Sequence, residues 1–193
     1  GSHPFLGGAV FTFNTDDLGS QRHILTRRPQ CPACGSGEFR GKMPKPPVLE
    51  SVNKRFTEDG GHRTATPAET LKKYERHISP VTGIVNTLSR VTGGEDMIHS
   101  YFAGHNSAVH YSDIFALKKG LRSKAGGKGK SDIQARVSGL CEAGERYSGL
   151  FQGDEYRISA SQTELGSEAV DPTTCMIFSE NQYKIRKVWN QNV

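Results

Sequence analysis

The sequence predicts an α+β fold, and three observations carry that prediction. Residues 9–13 (AVFTF) alternate as a strand does, and His23 to Leu25 can return beside them across a turn at Asp16–Ser20. Thr66-Pro67-Ala68-Glu69 writes a capping box with proline at the first helical position. The segment from Ser131 to Ser148 carries sustained helical periodicity.

Taken in order, the first strand pair leads into Cys31-Pro32-Ala33-Cys34-Gly35, a knuckle whose spacing favours a metal over a disulfide. It reads as half of a zinc ribbon, since structural zinc takes four Cys/His ligands. Gly35 to Pro47 is rich in Gly, Pro and Lys without periodicity and predicts a linker. The helix opened by Thr66 sets Leu71, Tyr74 and Ile78 on one face and should end before Pro80. Ile84–Val91 and Ile98–Ala103 read as strands joined around Gly93-Gly94. A glycine-lysine turn then feeds the long helix, followed by a loop near Gly153 and shorter mixed elements, with no internal repeat.

The chain has 193 residues, 34% hydrophobic and 23% charged, enough for one core or two small ones. No run approaches the roughly 18 apolar residues of a membrane span, and no secretory signal is visible. A reducing cytoplasm is therefore expected, with no membrane partner. Of the four cysteines only Cys31 and Cys34 are close; Cys141 and Cys175 read as core residues. The net charge is +5, and Lys118, Lys119, Arg122, Lys124, Lys128 and Lys130 crowd the approach to the glycine turn. A zinc-ribbon nucleic-acid module is one reading of that cluster. Aromatic residues make up only 8% of the chain and none interleaves the run to stack a base, so a phosphate-bearing small ligand fits it better.

The long helix carries two stripes. Ile133, Val137, Leu140, Cys141 and Gly144 form a buried one. Gln134, Ser138, Glu142, Glu145 and Arg146 form a polar one, rotated by one residue, as on a helix lining a cleft. Ser131 and Gln134 match a capping box. Gly126, Gly127 and Gly129 before it would let backbone N–H groups approach an anion at the helix N-terminus. A Walker A loop is excluded, because its first glycine would fall on Lys124. Glu142 and Glu145 lie one turn apart, and two converging carboxylates call for a cation such as Mg²⁺, with Arg146 meeting a phosphate or holding a glutamate. A solvated face with a Glu142–Arg146 i,i+4 pair accounts for the same spacing. The histidines form no metal or triad pattern and read as surface or hydrogen-bonding residues.

The run GKGKSDIQARVSGLCEAGERYSGLFQGDE resembles the core signature of the YcaO family, in particular its azoline-forming cyclodehydratases of cyanobactin heterocyclase type. RRPQCPACG (27–35), DGGHRTATPAETLKKYERHISPVTGIV (59–85), YFAGHNSA (101–108) and CMIFSENQY (175–183) agree with it in order. The resemblance implies an ATP- and Mg²⁺-dependent enzyme that acts on a ribosomal precursor peptide bearing a leader sequence. A Cys, or a Ser or Thr, would attack the preceding carbonyl, and phosphorylation of the resulting oxygen would allow elimination to a thiazoline or oxazoline. Carried over by position, Glu142 and Glu145 would be magnesium ligands, with Ser138 and Arg146 near the nucleotide and Arg63 near the phosphates. Lys128 and Gln134 join them from their places on the turn and the polar stripe.

On this reading, residues 1–3 are an expression scar and 4–35 the tail of a docking domain holding the zinc-ribbon knuckle. Residues 36–58 are a linker and 59–193 the N-terminal half of a YcaO domain, a piece of a larger enzyme expected to be inactive alone. Cys31 and Cys34 would share a structural zinc with an upstream pair. The remainder of the parent enzyme is then an obligatory partner, and a homodimer is compatible with the chain. A YcaO enzyme using an external nucleophile, to form a thioamide or amidine, is the alternative within the family.

Overall fold

The computed structural model describes residues 7–28, 31, 33–36, 42, 43, 45–58, 61–91, 97–106, 114, 118, 123–150 and 155–191. Residues 1–3, read above as a scar, the expected turn at Gly93-Gly94, the expected loop at Gly153 and the basic residues Lys119 and Arg122 lie outside the described residues. The chain divides into two compact units, Gly1–Tyr156 and Arg157–Val193. Together they bear out the α+β class.

The first unit opens with the expected hairpin. Strand β1 (Ala9–Phe13) pairs antiparallel with β2 (Ser20–Ile24), with Val10 opposite His23. The returning strand starts three residues ahead of the expected His23 because Phe13 already pairs with Ser20. The tight tip is held by Asp17 Oδ1, which accepts from Gly19 N at 2.8 Å. His23 is buried, its ring 2.9 Å from Thr12 Oγ1 and 2.8 Å from Ser79 Oγ. Thr82 Oγ1 donates to the Ile24 carbonyl at 2.8 Å, so the hairpin is fastened to the loop that follows the first helix.

Helix α1 (Pro67–Tyr74) begins as its sequence requires. Thr66 Oγ1 accepts from Glu69 N at 3.3 Å, and Glu69 Oε2 accepts from Thr66 N at 2.9 Å. The Thr66 N–H and hydroxyl, followed by Arg55, hold the Glu69 carboxyl below the usual range. Thr66→Ala should therefore cost about 1 kcal/mol of stability, read as a lower urea midpoint with an unchanged slope. No change in the midpoint would mean that the cap does not limit stability. After α1 a 3₁₀ turn (Glu75–His77) brings Ile78 against the core, and Ser79 N bonds the Val85 carbonyl before Pro80 is reached.

Three antiparallel strands, β3 (Val85–Arg90), β4 (His99–His105) and β5 (Lys124–Gly129), form a sheet in the order β3-β4-β5. The glycine-lysine stretch is thus a strand rather than a turn, with Gly127 opposite Tyr101 and Gly129 opposite His99. Helix α2 (Asp132–Ser148) packs on one face of this sheet and against α1. Val85, Ala103, Ala125, Leu140, Ala143 and Leu71 make the core. Each fully buried Val- or Leu-sized side chain there contributes roughly 1.5–3 kcal/mol.

The buried stripe of α2 is displaced from the expected one. Ala135, Gly139, Leu140 and Ala143 are buried, whereas Ile133 is 37% exposed and Cys141 is exposed. Small residues form the seat because the backbones nearly touch: a Cβ on Gly127 would collide with Ala135 O and Gly139 N. The expected Ser131–Gln134 box is also absent, since Ser131 caps the helix without a side-chain bond and Gln134 is buried instead. Tyr101 OH donates to both oxygens of Asp132 at 2.9 and 3.0 Å and ties the first turn of α2 to β4.

The second unit holds four short helices, α3 (Gln162–Leu165), α4 (Pro172–Cys175), α5 (Glu180–Lys184) and α6 (Arg186–Asn190). Ser161–Glu164 and Ser179–Gln182 are complete capping boxes. Cys175, expected in a buried strand-like run, is exposed at the end of α4. The Asp171-Pro172 start explains this, with Thr174 Oγ1 donating back to the Asp171 carbonyl at 2.7 Å. Among the described residues no helix is long and apolar enough to cross a membrane.

Candidate functional site

Helices α1 and α2 and the segment leading to Thr66 enclose a two-lobed cleft. The larger lobe, about 590 Å³, has walls that are mainly apolar in area, with Ala65, Tyr74 and Val137 among them, and Gln134, His62, Glu69 and Lys73 also line it. The smaller lobe, about 510 Å³, is lined by Glu142, Glu145 and Arg146. Arg63, Ser138 and Cys141 border both lobes.

The helical period accounts for this arrangement, because 134, 138, 141, 142 and 145 recur at three- and four-residue steps and fall on one face. Cys141 corrects the core assignment made from its spacing. It faces the cleft, where partial burial raises its thiol above the ordinary value and Arg63 pulls in the opposite direction. Gln134 leaves its capping role because its Cβ and Cγ pack over Gly129, which carries the side chain to the cleft.

Arg146 Nη2 donates to Glu142 Oε1 at 2.6 Å, so the i,i+4 pair anticipated as the alternative is formed. Both members are partly exposed, and such a pair is worth little by itself. Glu145 and Arg63 have no ion-pair partner among the described residues. A carboxylate and a guanidinium thus border one lobe without being spent on each other. Two carboxylate oxygens on one helix face fit Mg²⁺, which takes few protein ligands and completes its shell with water and phosphate oxygens.

One residue predicted for the nucleotide site lies elsewhere. Lys128 borders neither lobe: β5 alternates, with Ala125 and Gly127 buried towards α2 and Lys124 and Lys128 exposed on the other face. There Lys124 Nζ sits over the Phe102 ring, 5.6 Å from its centroid. The basic cluster therefore does not converge on the cleft through these two lysines.

Cys31 and Cys34 are free thiols. Among the described residues no group of three or more His, Cys, Asp or Glu could hold a metal, so these two do not complete a zinc site there. The backbone N–H groups of Cys34 and Ala33, then the Cys34 thiol, lower Cys31 to about 7, while Cys31 raises Cys34. Alkylation of Cys31 in metal-free protein should reach half its maximal rate near pH 7, where its thiolate becomes the major form. A half-point near 9, resolved by peptide mass mapping, would show that these bonds do not stabilise the thiolate.

One residue near the site escaped the sequence reading. His105, at the end of β4, is buried, and its Nε2 has no hydrogen-bond partner among the described residues. Burial and then Arg146 hold its pKa below the ordinary value, with Glu142 opposing. It is thus buried rather than at the surface, and its Nε2 lacks the hydrogen bond expected of it among the described residues. Its alternation with Tyr101 and Ala103 on the helix-facing side of β4 was the available signal.

A family model described as YcaO cyclodehydratase, ATP- and Mg²⁺-binding, matches residues 126–192. A solved structure described as a heterocyclase in complex with substrate and cofactor is 43% identical, with a TM-score of 0.83 over 98% of this chain and 25% of that one. The structure of the heterocyclase TruD is 32% identical, with a TM-score of 0.54 over 98% of this chain and 20% of that one. The chain thus spans a quarter or less of the length of these two relatives. No curated protein matches it. The family model covers the helix that carries Ser138, Glu142, Glu145 and Arg146, and the structural likeness extends over nearly all the rest: the chain belongs to the YcaO family.

Proposed function

We propose that this chain forms one wall of the Mg-ATP site of a peptide cyclodehydratase. The observation that carries the reading is the meeting of Ser138, Glu142, Glu145, Arg146 and Arg63 around a charged lobe that opens into an apolar one. A base or ribose suits the apolar lobe and phosphates the charged one. Bound ATP would supply the phosphoryl group that makes a peptide oxygen a leaving group, with Mg²⁺ neutralising phosphate charge.

The chain's own residues then act by position and charge. Glu142 and Glu145 offer carboxylate oxygens to the metal. Arg146 fixes Glu142 through its 2.6 Å bond and keeps further N–H donors for a phosphate. Arg63 brings a second guanidinium from the opposite wall, and Ser138 and Gln134 offer polar contacts along the helix between the lobes. Residues 59 onward would contribute the N-terminal part of the YcaO domain. The partner is a ribosomal precursor peptide, in a reducing cytoplasm that keeps Cys31 and Cys34 as thiols.

The test is to incubate the enzyme that contains this chain with a Cys-containing precursor peptide and Mg-ATP, and to follow peptide mass. Attack of the Cys sulfur on the preceding carbonyl carbon with loss of the thiol proton, transfer of the γ-phosphoryl group to the carbonyl oxygen, and departure of that oxygen as phosphate with loss of the amide proton remove one water per residue. That ATP-dependent loss is the expected result. ATP consumption without water loss would favour thioamide or amidine formation, and no ATP consumption would reject the nucleotide reading.

A further inference from the structure

We propose that Gly61 is a positioning residue for the Arg63 guanidinium, and that the Arg55–Glu69 ion pair holds the backbone on which that guanidinium is aimed. The proposal rests on the reading of Arg63 as a phosphate contact. Phe56 and Arg63 pair as an isolated antiparallel bridge, with Arg63 N bonding Phe56 O at 2.9 Å and Phe56 N bonding Arg63 O at 3.1 Å. Arg55 N also donates to the Arg63 carbonyl at 2.9 Å. The backbone of Arg63 is therefore fixed by the Arg55–Phe56 segment opposite it.

That segment is in turn fastened to α1. Arg55 Nη2 lies 2.9 Å from Glu69 Oε1, while Glu69 Oε2 caps the helix at Thr66. One carboxylate thus ties the bridge to the start of the helix that walls the cleft. Both members of the pair are about half exposed, so its value is orientation rather than energy.

The side chain of Arg63 folds back over Gly61. A Cβ at 61 would overlap Nη1 and would lie 3.1 Å from Cζ and 3.6 Å from Nη2. The backbone of Gly61 is not in the left-handed region, so no turn geometry demands glycine there. What the missing side chain provides is room for the guanidinium, at the point where Arg63 borders both lobes. Any larger residue displaces the fork while leaving the chain fold alone, because the atoms it meets end a flexible side chain. A bidentate contact to phosphate depends on the direction of that fork.

The experiment measures Mg-ATP affinity by calorimetry, and the melting temperature without nucleotide, for Gly61→Ala, Arg63→Ala and the double variant of the protein containing this chain. Gly61→Ala should weaken Mg-ATP about tenfold with an unchanged melting temperature, and should add nothing in the Arg63→Ala background. Parent-like affinity in Gly61→Ala beside a loss in Arg63→Ala would overturn the positioning role and leave Arg63 in the site. Parent-like affinity in Arg63→Ala would overturn both. Additive losses in the double variant would also reject the proposal. If Gly61→Ala lowers the melting temperature, the Arg63→Lys background decides. Lysine has no Nη atoms over Gly61, so adding Gly61→Ala there should change neither reading, and a further loss would overturn the proposal.

Discussion

Glu142→Gln and Glu145→Gln should each reduce Mg-dependent turnover at least about a hundredfold while the protein remains folded. Glutamine keeps the size of the side chain and removes the charge that a divalent cation requires. The two variants separate metal binding from ion pairing. Glu142→Gln also breaks the bond to Arg146, a partly exposed i,i+4 pair whose loss changes stability little. Glu145 has no ion pair among the described residues, so its neutralisation removes only the oxygen offered to the lobe. Turnover of the enzyme containing this chain as a function of Mg²⁺ concentration, beside circular dichroism of the same samples, provides the check. Equal Mg²⁺ dependence in parent and Glu145→Gln would remove that residue from the metal site, and the same result for both would leave the face as an ordinary solvated one.

The polar stripe of α2 was legible because its information is local. Five side chains at helical spacing can only share a face, and the period places them together whatever the helix packs against. The Thr66–Glu69 cap was legible for the same reason, since both partners lie within one turn. Reading failed where a tertiary contact chose between two local possibilities. Ser131 and Gln134 satisfy the capping-box pattern as well as Thr66 and Glu69 do, yet Gln134 is drawn over Gly129 into the cleft. The glycines at 126, 127 and 129 look like a loop made for backbone approach to an anion. The approach is real at Gly127, but what comes close is a helix. Lys128 followed that error, because in a strand its side chain alternates away from α2. Apolar spacing alone puts Cys141 in the core, whereas it is exposed on the cleft side. The stripe that seats the helix is instead the small-residue one, which a hydrophobic period does not detect.

That seat is the feature most exposed to a single substitution. Gly127→Ala should cost about 3 kcal/mol, whereas Gly126→Ala, its neighbour on the same strand, should change stability by no more than about 0.5 kcal/mol. Nothing lies within 4 Å of a Cβ built on Gly126. A Cβ on Gly127 meets Ala135 O and Gly139 N and lies 2.7 Å from Gly139 Cα. These are backbone atoms of one helix, so no rotamer change relieves the contact and α2 must lift from the sheet. Leu140 and Ala143 then lose their packing on Ala103 and Ala125. The same displacement moves Ser138, Glu142 and Glu145 relative to Arg63 on the other wall, and nucleotide affinity should fall with stability. Urea unfolding of the two variants, followed by Mg-ATP titration under folded conditions, tests both links. Equal midpoints for Gly126→Ala and Gly127→Ala would mean that close approach of α2 to β5 is not what the glycine is for. A lower midpoint with unaltered nucleotide affinity would mean that the helix re-seats without moving the cleft.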